Sequence, residues 1–200
     1  MGSSNSFRLL LITDGFDDAT PNRVAAALRE LPRGCAAVQL RAKTLDGRAL
    51  YRAARTLRTV TPILVINDRV DIALAAGADG VHLPARGLPV AAARTLVGDR
   101  WIGVSTHTRD EALAAARGGA DYVVFGPVWP TKGKGPPLGI DALAEVVRAC
   151  APVPVFALGG VDADRAPAVV AVGARVACIG AVLGLDDAAA GARALAAAIG

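Results

Sequence analysis

Two cations and an amide occupy alternate positions directly after an apolar run, an arrangement suited to binding a diphosphate. Gln39, Arg41 and Lys43 follow residues 35–38, and alternate side chains of an extended strand point the same way. Arginine can hold phosphate oxygens with two N–H groups, while lysine contributes a compact positive charge. The alternative that these residues leave open is a solvated strand end that binds no ligand.

A carboxylate and an amide end another apolar run, at a point where a metal ion would be useful. Asn67 and Asp68 follow residues 63–66 and precede a stretch of helical character. Mg²⁺ prefers hard oxygen ligands, so Asp68 can help to hold it on a diphosphate. Aspartate at such a junction is also a frequent helix N-cap. The sequence leaves both interpretations of Asp68 open.

The two histidines of the chain differ in their surroundings. His107 follows Ser105 after the apolar run 101–104, which makes it a better site candidate than His82, which lies inside an apolar run. His82 is equally well explained as a hydrogen-bonded core residue. Neither histidine belongs to a recognisable Ser–His–Asp array, and the roles of both stay open.

The longest segment rich in glycine and proline is residues 126–139, which carry Lys132 and Lys134. Its length and charge predict a mobile flap whose lysines close over phosphate, with a disordered surface loop as the alternative. Two later turns contain Gly160 and Gly180, where backbone N–H groups can approach a phosphomonoester. Turns without a ligand are the alternative there.

These candidate residues need a scaffold that brings them together, and the apolar pattern predicts one. Eight short runs rich in Val, Ile and Leu alternate with eight amphipathic stretches of helical length. This order predicts an α/β fold, a single (β/α)₈ TIM barrel, whose strands all end at one mouth. A flavodoxin-like sheet with fewer strands is the alternative. The predicted strands are residues 9–13, 36–40, 63–66, 80–83, 101–104, 122–125, 153–158 and 176–179. The predicted helices are residues 21–31, 45–59, 69–76, 89–96, 109–117, 140–149, 163–172 and 186–199.

A glycine-containing corner recurs where a predicted helix meets the next strand. Residues 77–79 and 119–121 both read Gly-Ala-Asp, and residues 173–175 read Gly-Ala-Arg. Glycine at such a place fits a left-handed cap that ends a helix. We therefore expect these corners to have a structural role.

Composition narrows the classes of protein and partner. The 200 residues are 53% hydrophobic, enough for one core, with residues 1–7 expected as a flexible leader and residues 8–200 as the barrel. The net charge of +4 comes from scattered basic residues, which disfavours a nucleic-acid partner and suits a small anionic ligand. Cys35, Cys150 and Cys178 lack the spacing of a zinc site.

No apolar segment approaches the roughly 20 residues of a membrane span, so we expect no membrane partner and a cytoplasmic protein. No motif decides whether it forms a homodimer.

Taken together, these motifs resemble the thiamine phosphate synthase and thiazole tautomerase family. The resemblance implies a compact (β/α)₈ barrel. It further implies a transferase that joins hydroxymethylpyrimidine diphosphate to thiazole phosphate with release of diphosphate, using Mg²⁺ and a pyrimidinyl carbocation. It covers nearly the whole chain and is carried by segments 11–14, 38–43, 66–71, 80–83, 102–105, 126–128 and 158–160.

The same resemblance implies roles for individual residues, with small phosphorylated pyrimidine and thiazole substrates as the partners. The residues implied to bind the pyrimidine diphosphate are Gln39, Arg41, Lys43, Asn67, Ser105 and Lys134, with Asp68 on Mg²⁺. The residues implied to bind the thiazole phosphate or complete the phosphate pocket are Thr131, Gly160, Ile179 and Gly180. The implied catalytic residues are Arg41, Lys43, Ser105 and Lys134.

The chain departs from the family pattern at several positions. The stretch 84–87, which ends in Gly87, lacks the second magnesium-binding aspartate of the family, and Arg86 would replace some of the positive charge of the metal. Gly133 and Gly180 stand where hydroxyl side chains are usual. In the tautomerase branch an acid/base histidine corresponds to Pro127, which transfers no proton. Two alternatives to the synthase therefore stay open. One is a tautomerase-like isomerase with another base, and the other is a catalytically silent phosphate-binding or regulatory homologue.

Overall fold

In the computed structural model, which describes residues 7–200, the chain forms a closed barrel of eight parallel strands. Each strand pairs with the next one in sequence, and the last strand pairs with the first, with Leu10 opposite Ala177. Closure leaves no unpaired sheet edge. The predicted (β/α)₈ barrel is confirmed, and the flavodoxin-like alternative is wrong.

Strands and helices alternate strictly along the chain. The strands are β1 (Leu9–Ile12), β2 (Ala36–Leu40), β3 (Leu64–Asn67), β4 (Gly80–Leu83), β5 (Trp101–Thr106), β6 (Tyr122–Phe125), β7 (Val155–Ala157) and β8 (Arg175–Cys178). The helices are α1 (Thr20–Arg29), α2 (Gly47–Arg58), α3 (Val70–Ala76), α4 (Val90–Val97), α5 (Arg109–Arg117), α6 (Gly139–Cys150), α7 (Ala166–Ala171) and α8 (Ala188–Ile199).

Several boundaries differ from the predicted ones, and α7 differs most, since it begins at Ala166 rather than at residue 163. β5 runs two residues further than predicted, because Ser105 and Thr106 still pair with β6. β7 begins later than predicted, at Val155. Pro154 before it has no backbone N–H to donate to a neighbouring strand.

Aromatic side chains fill the barrel interior at the end where the strands begin. The ring of Phe7 lies 5.1 Å from that of Phe156, 5.2 Å from Trp101 and 5.6 Å from Tyr122, measured between centroids. Phe7, which the expected leader included, is fully buried, so the leader prediction is wrong for this residue. Residues 1–6 of that leader lie outside the described residues. The aromatic floor closes the barrel opposite its mouth.

The recurring corners tie neighbouring units of the barrel together. The carboxylate of Asp79 accepts the backbone N–H of Leu64 at 2.8 Å and the guanidinium of Arg58 at 2.5 Å. The carboxylate of Asp121 likewise accepts the backbone N–H of Ile102 in β5 at 2.7 Å and the guanidinium of Arg94 at 2.6 Å. The glycine of each corner has a positive φ. The expected structural role of these corners is thereby confirmed. In the two Gly-Ala-Asp corners the aspartate contributes to it as well, because its carboxylate binds the neighbouring strand and helix.

The cysteines and the lengths of the helices bear on the expectations about metal sites and membranes. The three cysteines are free, and burial raises the pKa of the Cys178 thiol to about 12. This thiol therefore stays protonated at neutral pH and is not a nucleophile. Within residues 7–200 no helix has the length and apolar character needed to cross a bilayer.

The substitution Gly103→Ala is expected to destabilise the barrel. Gly103 of β5 faces the ring of Tyr122, and an added Cβ would lie 2.1 Å from the Cζ atom of that ring. Because the interior is packed, we expect a loss of about 1–3 kcal/mol in the free energy of unfolding, measured by urea titration. Gly135→Ala is the control, since a Cβ there meets no atom within 4 Å. An unchanged unfolding midpoint for Gly103→Ala would contradict this packing.

Candidate active site

A cavity of about 860 Å³ opens at the carboxyl ends of the strands. Its walls come from loops far apart in the chain, so closure of the barrel is what assembles it. All the residues to which the family resemblance gave a binding, catalytic or metal role line this cavity: Gln39, Arg41, Lys43, Asn67, Asp68, Ser105, Thr131, Lys134, Gly160, Ile179 and Gly180. Lys132, the other lysine of the predicted flap, lies outside the lining. The expected convergence on one mouth is present, while the roles of the residues stay predictions.

Gln39 places an unsatisfied acceptor in the wall of the cavity. Its side chain is only 2% exposed, and its Nε2 donates to Oδ1 of Asn67 at 3.0 Å. Its Oε1 is buried without a hydrogen-bond partner among the described residues. Buried polar atoms are nearly always paired, so this oxygen is suited to accept an N–H from a ligand.

The end of β1 fixes Arg41 at the rim of the cavity. The Thr13 hydroxyl accepts the backbone N–H of Arg41 at 2.9 Å and donates to its carbonyl at 3.2 Å. Nη1 of Arg41 also donates to Asp14 at 2.8 Å. Because the Asp14 side chain is 73% exposed, this ion pair adds little stability and mainly orients the guanidinium. The sequence analysis missed this pair, and the only signal for it was the polar Thr13-Asp14 step after an apolar run.

Asp68 has an unusual backbone conformation that leaves its carboxylate available. It is the one non-glycine residue among those described with a positive φ, 66°. Its N–H donates to the carbonyl of His82 at 2.8 Å. The N-cap of α3 is Arg69, without a side-chain bond, so the N-cap interpretation of Asp68 is wrong. A strained residue held by its neighbours is typical of functional sites.

The residues present fit Mg²⁺ only as an ion held largely by substrate. The exposed Asp68 carboxylate accepts no hydrogen bond from residues 7–200, and it lines the cavity. In that part of the chain no three His, Cys, Asp or Glu side chains form a metal cluster, and the exposed Arg86 does not line the cavity. Mg²⁺ is commonly bound through one or two carboxylates together with substrate phosphates and waters. One free carboxylate meets that minimum.

Tyr122, His82 and Ser105 form a chain of hydrogen-bonding contacts from the barrel interior to the cavity. Nε2 of His82 lies 2.8 Å from Oγ of Ser105, and Nδ1 lies 3.4 Å from the hydroxyl of Tyr122. Burial lowers the pKa of His82 to about 3 and raises the pKa of Tyr122, so both are neutral at pH 7. A neutral imidazole there orients the Ser105 hydroxyl. The interpretation of His82 as a hydrogen-bonded core residue is confirmed. His82 also orients Ser105 in the cavity, and this contact depends on the register between β4 and β5.

His107 lies at the rim, where the long loop after β6 begins. Its Nδ1 is 2.6 Å from the carbonyl of Gly126, which must accept, so Nδ1 carries the proton. In the neutral ring Nε2 is then an acceptor. Both His107 and His82 line the cavity, so the lining does not show which is the better site candidate, and the chemical role of His107 stays open.

The loop after β6 is attached to the turn after β7. The N–H of Val128 donates to the carbonyl of Leu158 at 2.9 Å, and that of Trp129 donates to Gly159 at 3.0 Å. Gly160 next to this attachment has a φ of 65°, and a Cβ there would lie 2.8 Å from that of Trp129. Glycine is therefore required where the loop packs on the turn. The mobility of the flap stays a prediction.

Comparison with known proteins gives a consistent result. The family model for thiamine monophosphate synthase matches residues 9–182. A thiamine-phosphate synthase of Chlorobium phaeovibrioides is 44% identical over 87% of this chain and 85% of its own length. Another from Chloroflexus aurantiacus is 38% identical over 94% and 91%. The solved structure of a thiamine phosphate pyrophosphorylase from Pyrococcus furiosus has a TM-score of 0.87 and 32% identity, covering 98% of this chain and 96% of that chain.

The buried His82 is expected to make the protein less stable in mild acid. Its pKa is about 3 in the folded chain and 6.5 for a freely solvated ring, so the unfolded chain takes up a proton that the folded chain refuses. Stability is therefore lost as the pH falls from about 6.5 towards 3, by about 1.4 kcal/mol per pH unit. Urea unfolding at pH 7 and pH 5 should differ by about 2 kcal/mol less in His82→Gln than in the wild type.

The exposed His107 supplies the control for this measurement. His107→Gln is the control variant, because it makes the same substitution at the other histidine of the chain, which is exposed. If His82→Gln had the same pH dependence as the wild type, His82 would not be held neutral by the fold.

Proposed function

This chain belongs to the thiamine monophosphate synthase family and is thereby a thiamine-phosphate-forming transferase, and we propose that the cavity at the barrel mouth is where it works. There it joins hydroxymethylpyrimidine diphosphate to thiazole phosphate and releases diphosphate. One observation carries the proposal. Cations, an unsatisfied amide oxygen and a free carboxylate at the carboxyl ends of β2 and β3 line one cavity. The flap and the glycine turns after β7 and β8 line the same cavity.

The reaction needs stabilisation of a leaving group. The bond between the pyrimidine methylene carbon and the diphosphate oxygen breaks, and the thiazole nitrogen then forms a bond to the resulting carbocation. Negative charge grows on the diphosphate, where Arg41, Lys43 and Lys134 stabilise it electrostatically. Asp68 would help to hold Mg²⁺, and that ion would supply further positive charge to the leaving diphosphate.

Recognition of the pyrimidine falls to the polar groups deeper in the cavity. The unpaired Oε1 of Gln39 accepts an N–H group of the substrate, and its contact with Asn67 fixes its direction. Ser105, held by neutral His82, binds beside the pyrimidine and the departing diphosphate. These are neutral groups, so they orient the ring without quenching a developing cation.

The thiazole phosphate binds away from the diphosphate. Thr131, Gly160, Ile179 and Gly180 bind the thiazole phosphate at the opposite side of the cavity. A cytoplasmic location remains a prediction from the sequence, and whether the chain forms a homodimer stays open. No contact described above favours the isomerase alternative, since Pro127 lines the cavity without a proton to transfer. Turnover of the two substrates distinguishes the synthase from a silent binder.

Incubation with both substrates and Mg²⁺ tests the proposal. We expect thiamine phosphate and diphosphate in equal amounts, with chelation of Mg²⁺ lowering kcat more than substrate affinity, because Mg²⁺ acts on charge that develops in the transition state. Product is measured by mass spectrometry and diphosphate by a coupled assay.

Three other outcomes of this assay would contradict the synthase. Absence of product at high enzyme concentration would remove it. Conversion of a thiazole carboxylate phosphate without Mg²⁺ or pyrimidine would identify an isomerase. Thermal stabilisation by the substrates without turnover would identify a silent binder.

The substitution Lys43→Ala is expected to weaken binding of the pyrimidine diphosphate about tenfold, because it removes one charge-assisted contact to the diphosphate. Calorimetric titration measures this affinity. Lys132→Ala is the matched control, since Lys132 is exposed and lies outside the cavity lining. Equal affinities of Lys43→Ala and the wild type would contradict the site assignment after β2.

A further inference from the structure

We propose that Arg165 binds the phosphomonoester of the thiazole substrate. The side of the cavity formed after β7 and β8 would then carry a cationic side chain in addition to backbone N–H groups. The inference rests on the proposed function, which places a thiazole phosphate in this cavity. Arg165 directly precedes α7 and lines the cavity together with Gly160 and Gly180. No motif in the sequence pointed to it.

The guanidinium of Arg165 is held between the phosphate-binding turn and the base of the flap. Its Nη1 donates to the carbonyl of Gly160 at 2.6 Å, and its Cζ lies 5.7 Å from the ring centroid of Trp129. The backbone N–H of Arg165 is bound by Oδ1 of Asp162 at 3.0 Å. Contacts with two neighbouring loops reduce the freedom that a long side chain must lose when it binds a ligand.

Most of the donor groups of Arg165 remain available. Within residues 7–200 only its Nη1 makes a side-chain hydrogen bond, which leaves the N–H groups of Nε and Nη2 free for a bidentate contact. The nearest carboxylate oxygen, on Asp162, is 3.7 Å away, and both side chains are nearly half exposed. The neutralisation is therefore weak. Arg69, by contrast, already spends Nε and Nη2 on Asp71.

The other groups on the side of the cavity after β7 and β8 supply no full positive charge and no free hydroxyl donor for a phosphate. The flap hydroxyl expected to meet the phosphate, on Thr131, already donates to the carbonyl of Trp129 at 3.0 Å. Gly133 and Gly180 carry no side chain at all. A phosphate monoester is close to doubly charged at neutral pH, and backbone N–H groups alone supply only partial charges. Arg165 is the cation positioned to complete the neutralisation.

Binding of phosphorylated and unphosphorylated thiazole tests the proposal directly. The ligands are thiazole phosphate and the corresponding thiazole alcohol, titrated calorimetrically into the wild type, Arg165→Gln, Arg165→Lys and the control Arg117→Gln. Arg117 is exposed on α5 and lies outside the cavity lining. Thermal unfolding of each variant verifies that it is folded.

We expect Arg165→Gln to weaken binding of thiazole phosphate about tenfold while changing the affinity for the alcohol less than about twofold. Arg165→Lys should recover part of the loss, since it restores the charge without the planar fork. In turnover, KM for thiazole phosphate should rise while KM for the pyrimidine diphosphate stays unchanged. Arg117→Gln should match the wild type throughout.

The results that overturn the proposal differ from those that overturn the proposed function. Equal losses for phosphate and alcohol would mean that Arg165 acts through the shape of the turn, and no loss for either would mean that it plays no part. Each overturns the proposal even if the wild type forms product. A wild type that forms no product, but whose affinity for thiazole phosphate depends on Arg165, would overturn the proposed function alone. A wild type that does not bind thiazole phosphate would overturn both.

Discussion

Pairing of β1 with β8 is the constraint on which the site depends. Leu9, Leu10 and Leu11 pair in parallel with residues of β8, and this pairing turns a sheet into a ring. The ring brings the turn after β8 beside the loops after β1 and β2, although most of the chain separates them. The same end of β1 supplies the Thr13 and Asp14 contacts that hold Arg41. Closure therefore determines both the wall of the cavity and the direction of one of its main cations.

The barrel interior changes in character from floor to mouth. The rings of Phe7, Tyr122 and Phe156 exclude water at the floor, and the same burial keeps His82 uncharged. Above it, Ser105 and Gln39 are polar but neutral, and the cations Arg41 and Lys43 come after the end of β2, where the cavity opens. Electrostatic interactions strengthen where water is excluded, so cations at the edge of an apolar barrel act on phosphate oxygens more strongly than they would on an open surface.

The fold could be predicted from local patterns, whereas several features of the site could not. Strands buried on both faces produce continuous apolar runs, so their number and order are visible in the sequence. Polar residues at the strand ends, such as Arg41 and Lys43, could be identified because they directly follow these apolar runs. The pairings of Asp14 with Arg41 and of His82 with Ser105 depend on the register between different strands.

Asp68 and Arg165 illustrate two further limits of the sequence. For Asp68, the choice between helix cap and free carboxylate depends on a backbone bond to β4 that fixes a left-handed conformation. Arg165 was missed because its partners, Gly160 and Trp129, belong to two loops that meet only after folding.

The positions of the two tryptophans give the protein a built-in optical reporter. Trp101 lies in the aromatic floor, far from the mouth, whereas Trp129 lies at the flap base with its indole beside the Arg165 guanidinium. A nearby cation and a change in solvation both alter indole emission. With Trp101 replaced by phenylalanine, tryptophan fluorescence would come from Trp129 alone. Loop motion and anion arrival could then be followed in stopped-flow mixing without attaching any dye.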